Sequence, residues 1–124
     1  MKDFRDLQVW HKAHSLTLAC YGITSTFPRP EVYGLTSQIR RCAASAAANI
    51  AEGCGKRGNG EFYRFLNMAL GSTSELEYHF LLAHDLQFLA KKITKTSITE
   101  LSRLNEWLRL WRAKSRPIAA RADC

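Results

Sequence analysis

The chain has 124 residues, 46% of them hydrophobic and 23% charged, a size and composition that fit one domain and exclude two. No apolar run approaches the roughly 20 residues that cross a bilayer, and the start MKDFRDL lacks the apolar stretch of a signal peptide. We therefore expect a cytoplasmic protein that has no membrane partner. Its net charge of +7 favours a polyanionic binding partner, although excess charge also increases solubility without any partner.

The basic surplus is concentrated near the end of the chain. Residues 1–90 carry nine basic and eight acidic side chains, whereas residues 91–124 carry a net charge of +6. Such asymmetry is typical of proteins that contact nucleic acid.

Two helices are predicted before the glycine-rich stretch that starts at Gly53. Hydrophobic residues recur every three or four positions after Asp6, which can serve as N-cap, and predict a first helix over about 6–26. The same period, ended by Gly53, predicts a second helix over about 33–53.

Two more helices are predicted after the glycines. A long hydrophobic stripe predicts the third over about 61–88. Residues 91–96 lack a stripe, while Ser97 with Glu100 fits a capping box, so the fourth helix is predicted over about 98–114.

These elements define an all-α fold. Convincing β-strand alternation is missing from the sequence, and the connections are short enough to join antiparallel neighbours. We predict a single-domain antiparallel up-down four-helix bundle over residues 1–114, followed by a disordered basic tail at 115–124.

The second predicted helix has a dry outer face. The segment CAASAAANIA at 42–51 has no charge, and its alanines stand where a surface helix would carry Lys or Glu. We interpret this face as a homo-oligomer interface whose register is fixed by a polar stripe; alternatively, alanine simply favours helix. The predicted interface residues are Gln38, Arg41, Ala44, Ser45, Ala48, Asn49 and Glu52.

One carboxylate falls on the predicted core face of the third helix. Glu77 shares that face with Leu70 and Phe80, and a buried carboxylate needs a cation. We therefore predict a structural ion pair of Glu77 with Arg40 or Arg41. A metal role for Glu77 is disfavoured because the paired Glu-x-x-His motifs of metal-binding bundles are missing.

Two basic segments are candidate phosphate contacts. The loop GCGKRG at 53–58 matches the letters of a dinucleotide motif but follows a helix, so we interpret its basic residues as an anion site or as part of a solvated turn. Near the end of the chain, Trp107 and Trp111 alternate with cations, as in stacking and phosphate contact, although Trp111 also fits the core stripe. The predicted nucleic-acid-binding residues are Lys56, Arg57, Arg109, Arg112, Lys114, Arg116 and Arg121.

A catalytic or metal-binding set is not recognisable. The four cysteines have no CxxC spacing and are interpreted as reduced thiols, and His11 and His14 lack a third ligand nearby. We therefore predict no enzyme activity, no cofactor and no metal.

Three segments resemble a known family: FRDLQVWHKAH at 4–14, YGLTSQIRRCAASAAANIAEG at 33–53 and EFYRFLNMALGSTSELE at 61–77. They are similar to the bacterial four-helix-bundle proteins called 23S rRNA-intervening-sequence proteins. The same superfamily includes the accessory variability determinant of diversity-generating retroelements, a basic pentameric ring that works with a reverse transcriptase on nucleic acid. The resemblance thus implies a homo-oligomeric ring.

The resemblance also identifies signature positions, without attaching an activity to them: Gln38, Arg40, Arg41, Asn49, Glu52 and Glu75. This chain departs from the family pattern at residues 46–48, which are all alanine, and at Gln87-Phe88, where relatives have a Gly-Tyr turn.

Two functional hypotheses remain from different classes. The first is a ring-shaped accessory protein that binds RNA or DNA, and the second is a structural or protein-recruiting oligomer without a nucleic-acid role. Salt-dependent binding separates them, because neutralising phosphates makes affinity fall steeply with salt.

Overall fold

The computed structural model describes residues 3–116, and the polypeptide in that range forms four long helices and two short 3-10 turns. The long helices are α1 (Gln8–Thr24), α2 (Leu35–Cys54), α3 (Gly58–Asp85) and α4 (Lys91–Ser115). The short turns are Phe4–Asp6 and Arg29–Tyr33, and none of the described residues forms a strand. The predicted all-α four-helix bundle is therefore confirmed.

Consecutive helices run antiparallel. The hydroxyl of Thr17 donates to the Ala43 carbonyl (3.1 Å), while the Nε of Arg40 donates to the Thr24 hydroxyl (2.8 Å), so the end of α1 meets the start of α2. Fully buried side chains from all four helices, such as Phe80 and Leu108, form one core.

Helix α3 has a buried seam with alternating three- and four-residue spacing, the pattern of an antiparallel bundle. The seam comprises Leu66, Ala69, Thr73, Leu76, Phe80 and Ala83. Position 77 lies beside this seam and Glu77 is exposed. Its predicted burial is wrong.

The fourth helix begins at Lys91, two turns before the predicted start near residue 98. Ser97 is not a cap: it lies inside α4 and is buried, as is Thr94, whose hydroxyl donates to the Ala90 carbonyl (3.0 Å). Two small hydroxyl residues thus stand where the pattern required apolar side chains. The predicted capping box is wrong, because Ser97 lies inside the helix.

The start of the first helix also differs. Asp6 belongs to the turn before α1, and Leu7 occupies the cap position without a side-chain hydrogen bond. The carboxylate of Asp3 instead caps the turn by accepting from the Arg5 amide (2.9 Å). Of the predicted disordered tail, residues 117–124 lie outside the described residues, whereas Ser115 ends α4 and is buried and Arg116 is half-buried, so the prediction is wrong at these two positions.

Close packing of α2 on α3 requires glycine at one position. A Cβ on Gly53 would lie 2.6 Å from the Phe65 Cβ and 3.1 Å from the Phe62 Cδ1. We expect Gly53→Ala to lower the free energy of unfolding by about 1–3 kcal/mol through overpacking.

A chemical denaturation midpoint measures this effect. Gly71→Ala is the matched control, because a Cβ there meets nothing within 4 Å and alanine favours a helix interior. Equal midpoints for the two variants would contradict the close contact.

The turn after α3 places a non-glycine residue in the left-handed region. Gln87 has φ of 66°, and the Phe88 amide donates to the Ala83 carbonyl (2.8 Å), as in a Schellman motif. Glycine adopts this conformation without the steric cost of a Cβ. We therefore expect Gln87→Gly to raise the free energy of unfolding by about 0.5–1 kcal/mol. Thermal melts would check this, and a lowered midpoint would contradict the positive φ.

Candidate nucleic-acid interface

One end of the bundle unites two basic segments that are far apart in sequence. The loop between α2 and α3 and the last turns of α4 line a shared depression of about 420 Å³, which includes Lys56, Phe62, Trp111 and Lys114. Lys114 Nζ lies 5.7 Å from the centre of the Trp111 ring. The segments are brought together because α2 ends, α3 begins and α4 ends at this end of the bundle.

A second depression lies on the other side of the end of α4. It measures about 530 Å³ and is lined by Tyr63, Arg109, Arg112, Ala113 and Arg116, none of them acidic. Arg112 Nη1 donates to the Asn67 side-chain oxygen (3.3 Å), which ties α4 to α3 at this point. Three guanidinium groups around one aromatic ring can neutralise phosphates while the ring stacks on a base.

The start of α3 adds backbone donors to this end of the molecule. No side chain caps the first turn, and Arg57 occupies the cap position. The carboxylate of Glu61 in that turn pairs with Arg64 (3.2 Å). The hydrogen bond from Arg64 lowers the pKa of Glu61. Because the carboxylate of Glu61 is paired with Arg64, its negative charge is compensated beside the helix N-terminus.

The structure places the predicted contact residues as follows. Lys56, Arg57, Arg109 and Lys114 are exposed and Arg112 and Arg116 are half-buried, whereas Arg121 lies outside the described residues. Both tryptophans are half-buried and pack against the core, as predicted for Trp111, whereas the sequence left the position of Trp107 open. Tyr63 was missed because one tyrosine on a helix has no sequence signal until its neighbours are known.

The outer face of α2 keeps its alanines at the surface. Ala48 is exposed, and Ala44 and Ala51 are half-buried. On the neighbouring helix, the side chains of Leu18 and Tyr21 are 60% and 47% exposed. The three alanines on α2 are here called the alanine face.

The polar stripe of α2 finds partners within the chain. The Ser45 and Ser72 hydroxyls are hydrogen bonded (2.9 Å), and Asn49 donates to the Ser45 carbonyl (2.9 Å). The Ser45 hydroxyl thus joins α2 to α3, while Asn49 bonds within α2, and the place of both residues in an oligomer interface stays a prediction. Gln38, Arg41 and Glu52 are exposed.

The predicted ion pair forms with a different carboxylate. Arg41 Nη2 lies 2.7 Å from the Glu75 Oε2. Arg40 instead reaches α1, where it donates to Thr24 and stacks on the Tyr21 ring (4.6 Å). Both side chains of the Arg41–Glu75 pair are about half exposed, at 57% and 43%, so the pair contributes little to stability on its own.

Glu75 also contacts a thiol and an imidazole. Its pKa is lowered, first by the hydrogen bond with the Cys42 thiol, then by that with His79, and further by the nearby positive charge of Arg41. A lowered folded-state pKa means that these contacts stabilise the protein at neutral pH and are lost as pH falls through that pKa.

Burial raises the pKa of the Cys42 thiol to about 12, and burial also raises the pKa of the Cys20 thiol to about 12. Both are therefore protonated at neutral pH and poor nucleophiles.

None of the four helices is both long enough and apolar enough to span a membrane within residues 3–116.

The geometry defines an all-α bundle with one strongly basic end, and comparisons with known proteins identify its family. The sequence matches the 23S rRNA-intervening sequence protein family over residues 5–109, so the chain belongs to that family. A similar fold occurs in the crystal structure of a protein with unknown function from the S23 ribosomal protein family of Bacteroides thetaiotaomicron. The superposition of the two chains has a TM-score of 0.72 and a sequence identity of 21%, and it covers 81% of this chain and 94% of that protein's chain. No curated protein matches.

Proposed function

We propose that this protein is a non-enzymatic homo-oligomeric ring that binds RNA or DNA through the basic end of each bundle, as an accessory factor. The observation that carries the proposal is the meeting of two basic segments at one end of the bundle, around two depressions whose described lining residues include no acidic side chain. The first segment begins at Lys56 and the second at Arg109, and only the fold brings these distant parts of the sequence together.

The distribution of charge supports a polyanion rather than a protein partner at this end. Arg109, Arg112 and Arg116 lie around Tyr63 without an acidic neighbour in the lining. Unopposed cations beside an aromatic ring suit a phosphate backbone with accessible bases. The family name refers to 23S rRNA, which makes RNA the first polymer to test.

The oligomer in the proposal rests on the alanine face. Small apolar side chains at the surface let a second helix approach closely, and such strips commonly mark protein contacts. The five-fold ring rests on the resemblance to the retroelement accessory protein, and closed rings are a common form of homo-oligomer.

Two measurements on the unmodified protein test the proposal. Light scattering should give about five times the 14.1 kDa of one chain, and fluorescence anisotropy should show binding of labelled RNA or DNA near physiological salt. An oligomer that binds neither polymer would favour the second candidate, a structural or protein-recruiting scaffold, which the alanine face also supports. A monomer at micromolar concentration would contradict the ring.

A further inference from the structure

A cluster of three potential metal ligands lies between α2 and α3, away from the basic end. One ligand atom each from Cys42, Glu75 and His79 lies within 4.8 Å of the other two. The cysteine is on α2 and the other two residues are one turn apart on α3, so the packing of the two helices creates the cluster. His79 Nε2 lies 3.0 Å from the Glu75 Oε2.

A cation of the chain itself already lies among these donors. Arg41 Nη2 is 2.7 Å from the Glu75 Oε2, 2.7 Å from the Gln38 Oε1 and 3.8 Å from the Cys42 Sγ. Two oxygens and a sulfur therefore converge on one positively charged nitrogen. Two of these atoms belong to the ligand cluster and Gln38 adds a third, so the pocket already accommodates a positive charge.

The polar network around His79 is also incomplete. Its side chain is 14% exposed, and its Nδ1 is buried without a hydrogen-bond partner among the described residues. The other ring nitrogen, Nε2, faces Glu75 and is the one available to a metal ion in the cluster.

We propose that Cys42, Glu75 and His79 bind a zinc ion, with the Gln38 amide oxygen or a water as fourth ligand, and that the ion displaces the Arg41 guanidinium. Thiolate, imidazole and carboxylate are the usual protein ligands of Zn²⁺, whereas Mg²⁺ and Ca²⁺ require oxygen ligands. On binding, the Cys42 thiol releases its proton to solvent and a zinc–sulfur bond forms, without any change of oxidation state.

The required rearrangement is small. Ligand atoms of a tetrahedral zinc site lie about 2.0–2.3 Å from the ion and hence roughly 3.5 Å from one another. The ligand atoms of the cluster lie within 4.8 Å of one another and the His79 Nε2 is 3.0 Å from the Glu75 Oε2, so shifts of about 1 Å suffice. Arg41 has a half-exposed side chain, and an exposed ion pair contributes little stability, so its head group can move into water at low cost.

The test uses the full chain, freed of metal by a chelator and kept reduced. Zn²⁺ titrations should give one site per chain, and Co²⁺ should produce a thiolate charge-transfer band together with tetrahedral d–d absorption. Glu75→Gln and His79→Gln should each weaken Zn²⁺ binding by about tenfold or more, and Cys42→Ser should abolish the charge-transfer band. Arg41→Gln should strengthen binding, because it removes the competing cation.

Matched variants separate this site from other thiols and imidazoles. Cys54→Ser and His84→Gln should leave the affinity unchanged, since Cys54 lies about 18 Å further along α2 and His84 is outside the cluster. Circular dichroism checks folding, and the half-exposed Glu75 keeps the test valid if the buried Cys42 does not tolerate serine. Absence of saturable Zn²⁺ binding, an affinity that neither His79→Gln nor Glu75→Gln lowers, or weaker binding by Arg41→Gln would overturn the proposal.

Discussion

Replacing Arg109, Arg112 and Arg116 together with Gln should weaken the binding of RNA or DNA by about tenfold or more at low salt. The three side chains line one depression at the end of α4, and each can neutralise a phosphate. Helical content should persist, because none of the three is fully buried. Fluorescence anisotropy with a labelled oligonucleotide measures the loss of affinity, and circular dichroism checks the fold.

The same helix offers a control of equal charge. Lys91, Lys92 and Lys95 are exposed in the first turns of α4, at the opposite end of that helix. Replacing these three with Gln removes the same net charge but should affect binding much less. If both triple variants lose affinity equally, binding depends on total charge and not on the basic end.

A charge in the alanine face should break the oligomer. Ala48 is exposed, and Ala44 and Ala51 lie on the adjacent turns of α2, so in the proposed interface a Glu there would be forced into a close contact between subunits. We expect Ala48→Glu to reduce the mass seen by light scattering to that of one chain, 14.1 kDa, at concentrations where the parent is assembled.

An exposed position on another helix provides the comparison. Ser102 is exposed on α4, and Ser102→Glu should leave the mass unchanged. If Ala48→Glu keeps the mass of an assembled parent, the interface lies on another surface, and the alanines of α2 then only favour helix formation.

The order and class of the helices were predictable because apolar residues recur with helical spacing and glycines and prolines interrupt them. The start of α4 was not predictable from hydrophobic periodicity. Thr94 and Ser97 are buried there, and their hydroxyls can bond the helix backbone, so a hydrophobic pattern does not identify these positions as buried. The burial of Glu77 was wrongly predicted for a different reason. Over the 28 residues of α3, the buried seam follows alternating three- and four-residue steps, and position 77 is not one of those steps.

Much less of the candidate site was predictable. Charge and composition identified Lys56, Arg109 and Lys114 individually, but only the fold shows that the first and last of them line one depression. Tyr63 and the contact of Cys42 with His79 depend on the packing of separate helices. Sequence periodicity assigns residues to the face of one helix and does not specify which faces meet.

The slope of log affinity against log salt tests the proposed function most directly. Each neutralised phosphate contributes about 0.7 to 0.9 to its magnitude, for single strands and duplexes respectively. We predict a steep slope for the parent protein and a slope smaller in magnitude by about 2–3 for the variant without Arg109, Arg112 and Arg116. Equal slopes for the two proteins, or no binding of either polymer near physiological salt, would contradict nucleic-acid binding at this end of the bundle.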